Sequence, residues 1–258
     1  MEAQTPYSVI TFAPMVDSEL CRFVLKHYAT AYRERPHTFG WGSLLALVRC
    51  FTPQVPALYG GGLRLAGPRR FVEHFDQSCP VDRMLLPSQR PLRLQVENDW
   101  DTYNGQLAAH SAVVAYFHLL PHRELMIEPF FRGVPKTEAS VFRGTYPFQR
   151  GLLTILLGLS EPTAKDALTR TRMIFDKTDA RIKDGRRYLA GDRVTLGDLA
   201  LAAASAPLLL PKGYGSPIPP LERMPPAYAE IVREMQQHPT AAFVQGIYDR
   251  HHGLPSPA

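Results

Sequence analysis

Cysteine is scarce in this chain: Cys21, Cys50 and Cys79 are the three in 258 residues. An odd number cannot close into pairs, and none stands in a CxxC or zinc-ligand spacing, which argues against a disulfide scaffold and for a reducing compartment. The nine histidines are scattered, with no HExxH or other metal-helix spacing, so no metal is expected. His251 and His252 are placed in a mobile tail. Long apolar runs are missing as well. The two most apolar segments, 151–159 and 199–210, fall short of the roughly 20 helical residues that cross a bilayer, so they read as buried helices and no membrane insertion is expected. The net charge of +5 comes from basic residues interspersed with acidic ones, and no basic run interleaved with aromatics marks a nucleic-acid partner. The opening MEAQTPYSV has no basic region followed by an apolar stretch, which makes the cytoplasm the expected location. No internal repeat is found.

What remains is a globular composition. With 258 residues, 45% of them hydrophobic and 21% charged, the chain exceeds one typical domain and can bury two modest cores. Residues 7–12 are short, β-branched and aromatic, ending at Ala13-Pro14, and predict a strand. Asp17-Ser18 precedes a helical stripe of Leu20, Phe23, Val24 and Leu25 that runs to about His27. A second extended segment, 31–35, stops at Pro36, and 42–48 reads as a short helix. Apolar runs at 54–59 and 63–65 flank three glycines and predict a hairpin. Gly67-Pro68 then opens a helix to about Asp76, since proline is tolerated in a first turn. The order β-α-β-α-β-β-α is followed by prolines at 80, 87 and 91, after which strand signals stop. Helical patterns cover 92–118, 138–158, 163–184, 196–209 and 226–237, and the proline-rich residues 211–226 read as an extended crossing.

Two stretches carry a family resemblance. In Arg187-Tyr-Leu-Ala-Gly-Asp-Arg-Val-Thr195-Leu-Gly-Asp198, the Thr195/Asp198 spacing is that of a capping pair before an apolar helix. This resembles the turn and capping box in the helical domain of glutathione transferases. Gln54-Val55-Pro56-Ala57-Leu58, followed by the glycine hairpin and a helix to Phe75, resembles the glutathione-side half of the same family. The resemblance implies an N-terminal thioredoxin-like α/β domain with a four-stranded mixed sheet (1–81), a linker (82–91) and an all-helical domain (92–258). It also implies a homodimer and glutathione as co-substrate, conjugated to a hydrophobic electrophilic small molecule.

The implied site residues follow position by position. Val55 offers its backbone to the middle of the glutathione peptide, before a cis bond to Pro56. Ser18-Glu-Leu-Cys21-Arg22 looks like the serine segment of theta-like transferases, where a hydroxyl at the start of the first helix holds the glutathione sulfur as thiolate; Ser18 is the catalytic candidate, and a plain helix cap is the competing account. Thr11 and Phe12 stand where tyrosine-type relatives carry their hydroxyl, and Cys21 reads as a small buried residue. At the start of the third helix the family's acidic residue and serine are replaced by Gly67 and Pro68, leaving Arg69 or Arg70 to meet the ligand carboxylate. Trp100 and Tyr103, three apart, are the candidate electrophile pocket, with core packing as the alternative. A noncatalytic binding protein of the same fold, and a thiol-disulfide or dehalogenating variant, remain alternative functions.

Overall fold

The computed structural model describes residues 7–217 and 219–252. Strand β1 (Tyr7–Thr11) places Val9 and Ile10 in the core. It is followed by α1 (Val16–His27), β2 (Tyr32–Pro36), α2 (Trp41–Cys50), β3 (Ala57–Gly60), β4 (Leu63–Ala66) and α3 (Pro68–Asp76). The four strands form one mixed sheet in the order β2-β1-β3-β4. β1 runs parallel to β2, with Tyr7 opposite Tyr32, and antiparallel to β3, with Val9 opposite Leu58. The parallel pair needs a crossover, which α1 supplies, whereas β3 and β4 join through Gly61 and Gly62 at φ 55° and 81°. Two consecutive positive φ angles are the geometry of a two-residue hairpin turn, and glycine adopts it without a Cβ penalty. This is the thioredoxin-like arrangement expected from the sequence.

The remainder is helical. α4 (Arg90–Trp100) passes through a π-wound segment, Asp101–Leu107, directly into α5 (Ala108–Leu119). Then come α6 (Arg123–Phe131), α7 (Lys136–Gly144), α8 (Tyr146–Leu156), α9 (Glu161–Ile182), α10 (Leu196–Leu209), α11 (Pro226–Met235) and α12 (Pro239–His251). α10 is the axis of the domain: from Leu196 to Leu209 every residue but Pro207 is buried, which explains an apolar run without amphipathic period. Its start is anchored by the Asp198 carboxylate, which accepts from the Thr195 amide (2.8 Å), the Thr195 hydroxyl (2.8 Å) and the Leu189 amide (2.7 Å). The two domains meet through α1 and α10, through the Leu196 amide on the Leu85 carbonyl (3.0 Å), and through His37 and the Thr38 amide on Glu138.

Three expectations change. The helix anticipated over 138–158 is two, because Pro147 in the first turn of α8 cannot donate to the turn before it. α6 forms despite Pro129 in its last turn. His251-His252 do not form a free tail: α12 carries the chain to His251, whose ring meets the Tyr188 hydroxyl (3.0 Å), and the His252 side chain is 3% exposed. Among the described residues no helix is long and apolar enough to cross a membrane.

Candidate functional site

The turn from β1 into α1 forms one wall of an apolar cavity of about 360 Å³. Phe12, Met15, Val16 and Asp17 line it from this turn, Phe39 from the approach to α2, and Asn104, Ala108, Ala115 and Tyr116 from the 101–119 rod. The strap after α10 contributes Tyr214, Ser216 and Pro217, and Met126, Leu153 and Tyr228 complete the far side. The cavity thus lies between the two domains, the usual place for a small-molecule site with mostly apolar lining.

Ser18 lies in the first turn of α1, as the sequence indicates, but its side chain is wholly buried. Its Oγ accepts the Phe12 amide at 3.2 Å, closing the turn from behind, and it is absent from the cavity wall. The neighbouring Asp17 is the acidic side chain on that wall. Burial raises the Asp17 pKa to about 6, with the Asn104 amide partly offsetting it, as expected for a half-buried carboxylate on an apolar wall with no cation beside it among the described residues. Cys21 is also buried, and that burial together with the Asp17 charge pushes its thiol well up, so it is not a thiolate.

The Val55–Pro56 bond is cis. No described residue hydrogen-bonds the Val55 backbone, whereas the Pro56 carbonyl accepts from the Gly67 amide at 2.9 Å. Val55 packs in one apolar cluster with Phe12 and Ile10, which sets this turn directly behind the cavity wall. Gly67 has φ 80°, the left-handed region that favours glycine; a Cβ there would come within 2.6 Å of Gln54 Nε2, the end of a flexible side chain that can move aside. Pro68 is the first residue of α3, which has no side-chain cap.

Arg69 is not free to meet a ligand carboxylate. Its guanidinium binds both oxygens of Glu97 (2.5 and 2.8 Å) and one of Glu73 (2.9 Å), and it lies 6.0 Å from the Trp100 ring. Trp100 therefore packs under an ion pair, and neither it nor Tyr103 lines the cavity. Tyr103 is 3% exposed, with its hydroxyl on Thr178 Oγ1 at 3.1 Å. The expectation that the two share a ligand-facing side rests on α-helical spacing, and the π-wound segment alters that spacing just after Trp100. It turns Tyr103 and Leu107 into the core and presents Asn104 and Ala108 to the cavity. The aromatic lining comes instead from Phe12, Phe39, Tyr116, Tyr214 and Tyr228; of these only Tyr116 lies on the helix where the sequence pointed.

A family model described as the C-terminal domain of glutathione S-transferase matches residues 137–210. Solved structures match over nearly the whole chain. The glutathione S-transferase from Xanthobacter autotrophicus Py2 is 16% identical with a TM-score of 0.60, covering 97% of each chain. The chain has the fold of the glutathione transferases. The glutathione S-transferase of Methylobacillus flagellatus KT, solved with glutathione bound, is 14% identical (TM-score 0.58), covering 93% of this chain and 92% of its own. Glutathione S-transferase I from maize, in complex with an atrazine glutathione conjugate, is 16% identical (TM-score 0.55), covering 95% and 99%. At these identities the likeness is one of fold. No curated protein sequence matches the chain.

The one group of possible metal ligands among the described residues is Asp176, Asp179 and His238, with ligand atoms within 4.8 Å of one another. It lies away from the cavity wall. Asp179 is already engaged by His238 (2.7 Å) and by the amide and hydroxyl of Thr240 (2.7 and 2.6 Å), which makes it the anchor for the start of α12.

Proposed function

We propose that the protein is a glutathione transferase in activity as well as in fold. Glutathione lies along the N-terminal domain with its thiol at the start of α1, and an apolar electrophile occupies the interdomain cavity. The observation that carries this reading is the meeting of the α1 N-terminus with an apolar cavity of about 360 Å³. The Val16 and Asp17 amides have no acceptor among the described residues, and amide donors at a helix N-terminus favour a sulfur anion over the thiol. The unpaired Val55 backbone supports its role against the peptide middle of glutathione. Ser18 acts by shaping the β1–α1 turn, since its side chain is wholly buried, accepts the Phe12 amide and does not reach the cavity wall.

Pairing into a homodimer and a cytoplasmic location belong to the same proposal. At the γ-glutamyl end, Gly67 and Pro68 supply neither hydroxyl nor free amide donor, since the Gly67 amide donates to the Pro56 carbonyl, and the Gln54 side-chain amide lies beside Gly67. This favours weak glutathione binding.

The second reading, a noncatalytic binding protein, draws on the same departures: a buried Ser18, an α3 that starts with proline, and an Arg69 committed to Glu97. Thermal denaturation over a glutathione series together with conjugation of chlorodinitrobenzene separates the two. A native-state ligand must raise the melting temperature; a rise with turnover supports the transferase, a rise without turnover supports the binding protein, and no rise refutes both.

A further inference from the structure

Asp17 has no task in the fold. It caps nothing, since the residue before α1 is Met15 and the helix start has no side-chain cap. Among the described residues it makes no ion pair, in contrast to Glu19 and Glu34, which share Arg22. Asn104 faces it from the π-wound segment, and the buried Cys21 thiol lies one turn along α1. Tyr116 and Tyr214 share the cavity wall, with both phenols held protonated by burial. None of these is a cation. A carboxylate kept in an apolar cavity without a cation costs free energy that a structural role would not demand. Such a group is suited to accept a proton from what the cavity receives.

We propose that the Asp17 carboxylate is the general base that takes the thiol proton of glutathione as its sulfur attacks the electrophile. This rests on the transferase reading above. In the step, the S–H bond breaks and its proton passes to Asp17 Oδ. The sulfur electron pair forms the S–C bond, and the leaving group, a halide in the aryl halide class, departs with its own bonding pair. The Val16 and Asp17 amides stabilise the charge on sulfur before the bond is complete, and Asp17, now neutral, does not repel it. Asp17 then returns its proton to solvent. A serine hydroxyl could only donate to a thiolate already formed, so a base at this turn changes the pH behaviour and not just the rate. The inflection at about 6 becomes the acid limb: the carboxylate must be ionised to act, so turnover rises through that pH and levels above it.

The test uses the full chain, wild type against Asp17→Asn and Ser18→Ala, with two measurements. The first is the pH profile of chlorodinitrobenzene conjugation. Asp17→Asn should lose about a hundredfold or more near neutral pH, on the scale of a positioned general base, and should lose the acid limb. Its rate should then climb with the glutathione thiol's own ionisation and approach wild type in alkali. The second is calorimetric binding of glutathione against S-methylglutathione. Wild type should prefer the thiol, which donates to Asp17, and Asp17→Asn should erase that preference while still binding the peptide. Ser18→Ala should keep both the acid limb and the preference. Binding in Asp17→Asn with an unchanged preference and an unchanged pH profile overturns the role of Asp17 and leaves the transferase reading standing. A wild type that binds neither peptide overturns both.

Discussion

Removing the Glu19 carboxylate should loosen the cavity wall from a distance. Glu19 is completely buried and gathers four partners from three parts of the chain. Arg22 Nη1 on α1 lies at 2.6 Å, the Gly215 amide donates at 3.0 and 3.2 Å to its two oxygens, and the Tyr248 hydroxyl on α12 donates at 3.0 Å. His252 Nε2 lies 3.0 Å from Oε1. Gly215 sits between Tyr214 and Ser216, both on the cavity wall, so this one carboxylate pins the strap, α1 and α12 together. Deleting one member of a buried pair typically costs about 3–5 kcal/mol. Arg22 keeps Glu34, at 2.6 Å, so Glu19→Ala belongs at the lower end, about 3 kcal/mol. Glu19→Gln preserves shape and an oxygen for Gly215, and should cost about 1.5–3 kcal/mol, the range for a charged hydrogen bond.

The pH dependence has a definite sign. Burial acts to raise the Glu19 pKa, but the adjacent His252, Arg22 and the Gly215 amide outweigh it and the net shift is downward from 4.5. A lowered carboxyl pKa contributes stability that is complete above the unfolded value and is lost as pH falls through the folded one. The gap between wild type and Glu19→Gln should therefore be full at neutral pH and close in acid. Urea unfolding followed by circular dichroism measures both, and hydrogen exchange at the Gly215 amide reports the strap directly. A Glu19→Ala protein within 1 kcal/mol of wild type, on the roughly 3 kcal/mol scale of this loss, with Gly215 still protected, would refute the assignment.

Asp17→Asn should stabilise the protein at pH 8 by about 3 kcal/mol, from a native pKa of about 6 against 3.8 at roughly 1.36 kcal/mol per unit. Because the folded pKa is raised, the penalty it removes is absent in acid and grows as pH rises from 3.8 to about 6, so urea unfolding at pH 3.5 should show no gain for the variant. Asp198→Ala leaves two buried amides and a hydroxyl without their acceptor and should cost about 3 kcal/mol or more, read from the same unfolding curves. Pro68→Ser restores a hydroxyl and an amide at the start of α3 and should tighten glutathione by roughly tenfold or more, which titration calorimetry measures directly.

From the residues in order, the sequence established the local elements and their succession. β-branched and aromatic runs at 7–11 and 57–60, the glycines at 61 and 62 and Pro68 in a first turn each act within a few residues of where they stand, so the sheet and its hairpin were legible. The Thr195–Asp198 spacing located α10 for the same reason. What tertiary structure decided is which side chains face the cavity. Ser18 and Asp17 are adjacent at the same helix start, and the choice between them depends on the Phe12 amide reaching back to Ser18 Oγ, a contact with no mark in composition or period. Trp100 and Tyr103 were separated by a π-wound turn, whose extra residue per turn breaks the helical spacing that joined them on paper. His251 and His252 looked like tail residues because their partners, Tyr188 and Glu19, stand 63 and 233 positions away. A charge gains a reason to be buried only when the fold brings its counter-charge, and Asp17 is conspicuous only once the fold sets Asn104 beside it and, among the described residues, no cation.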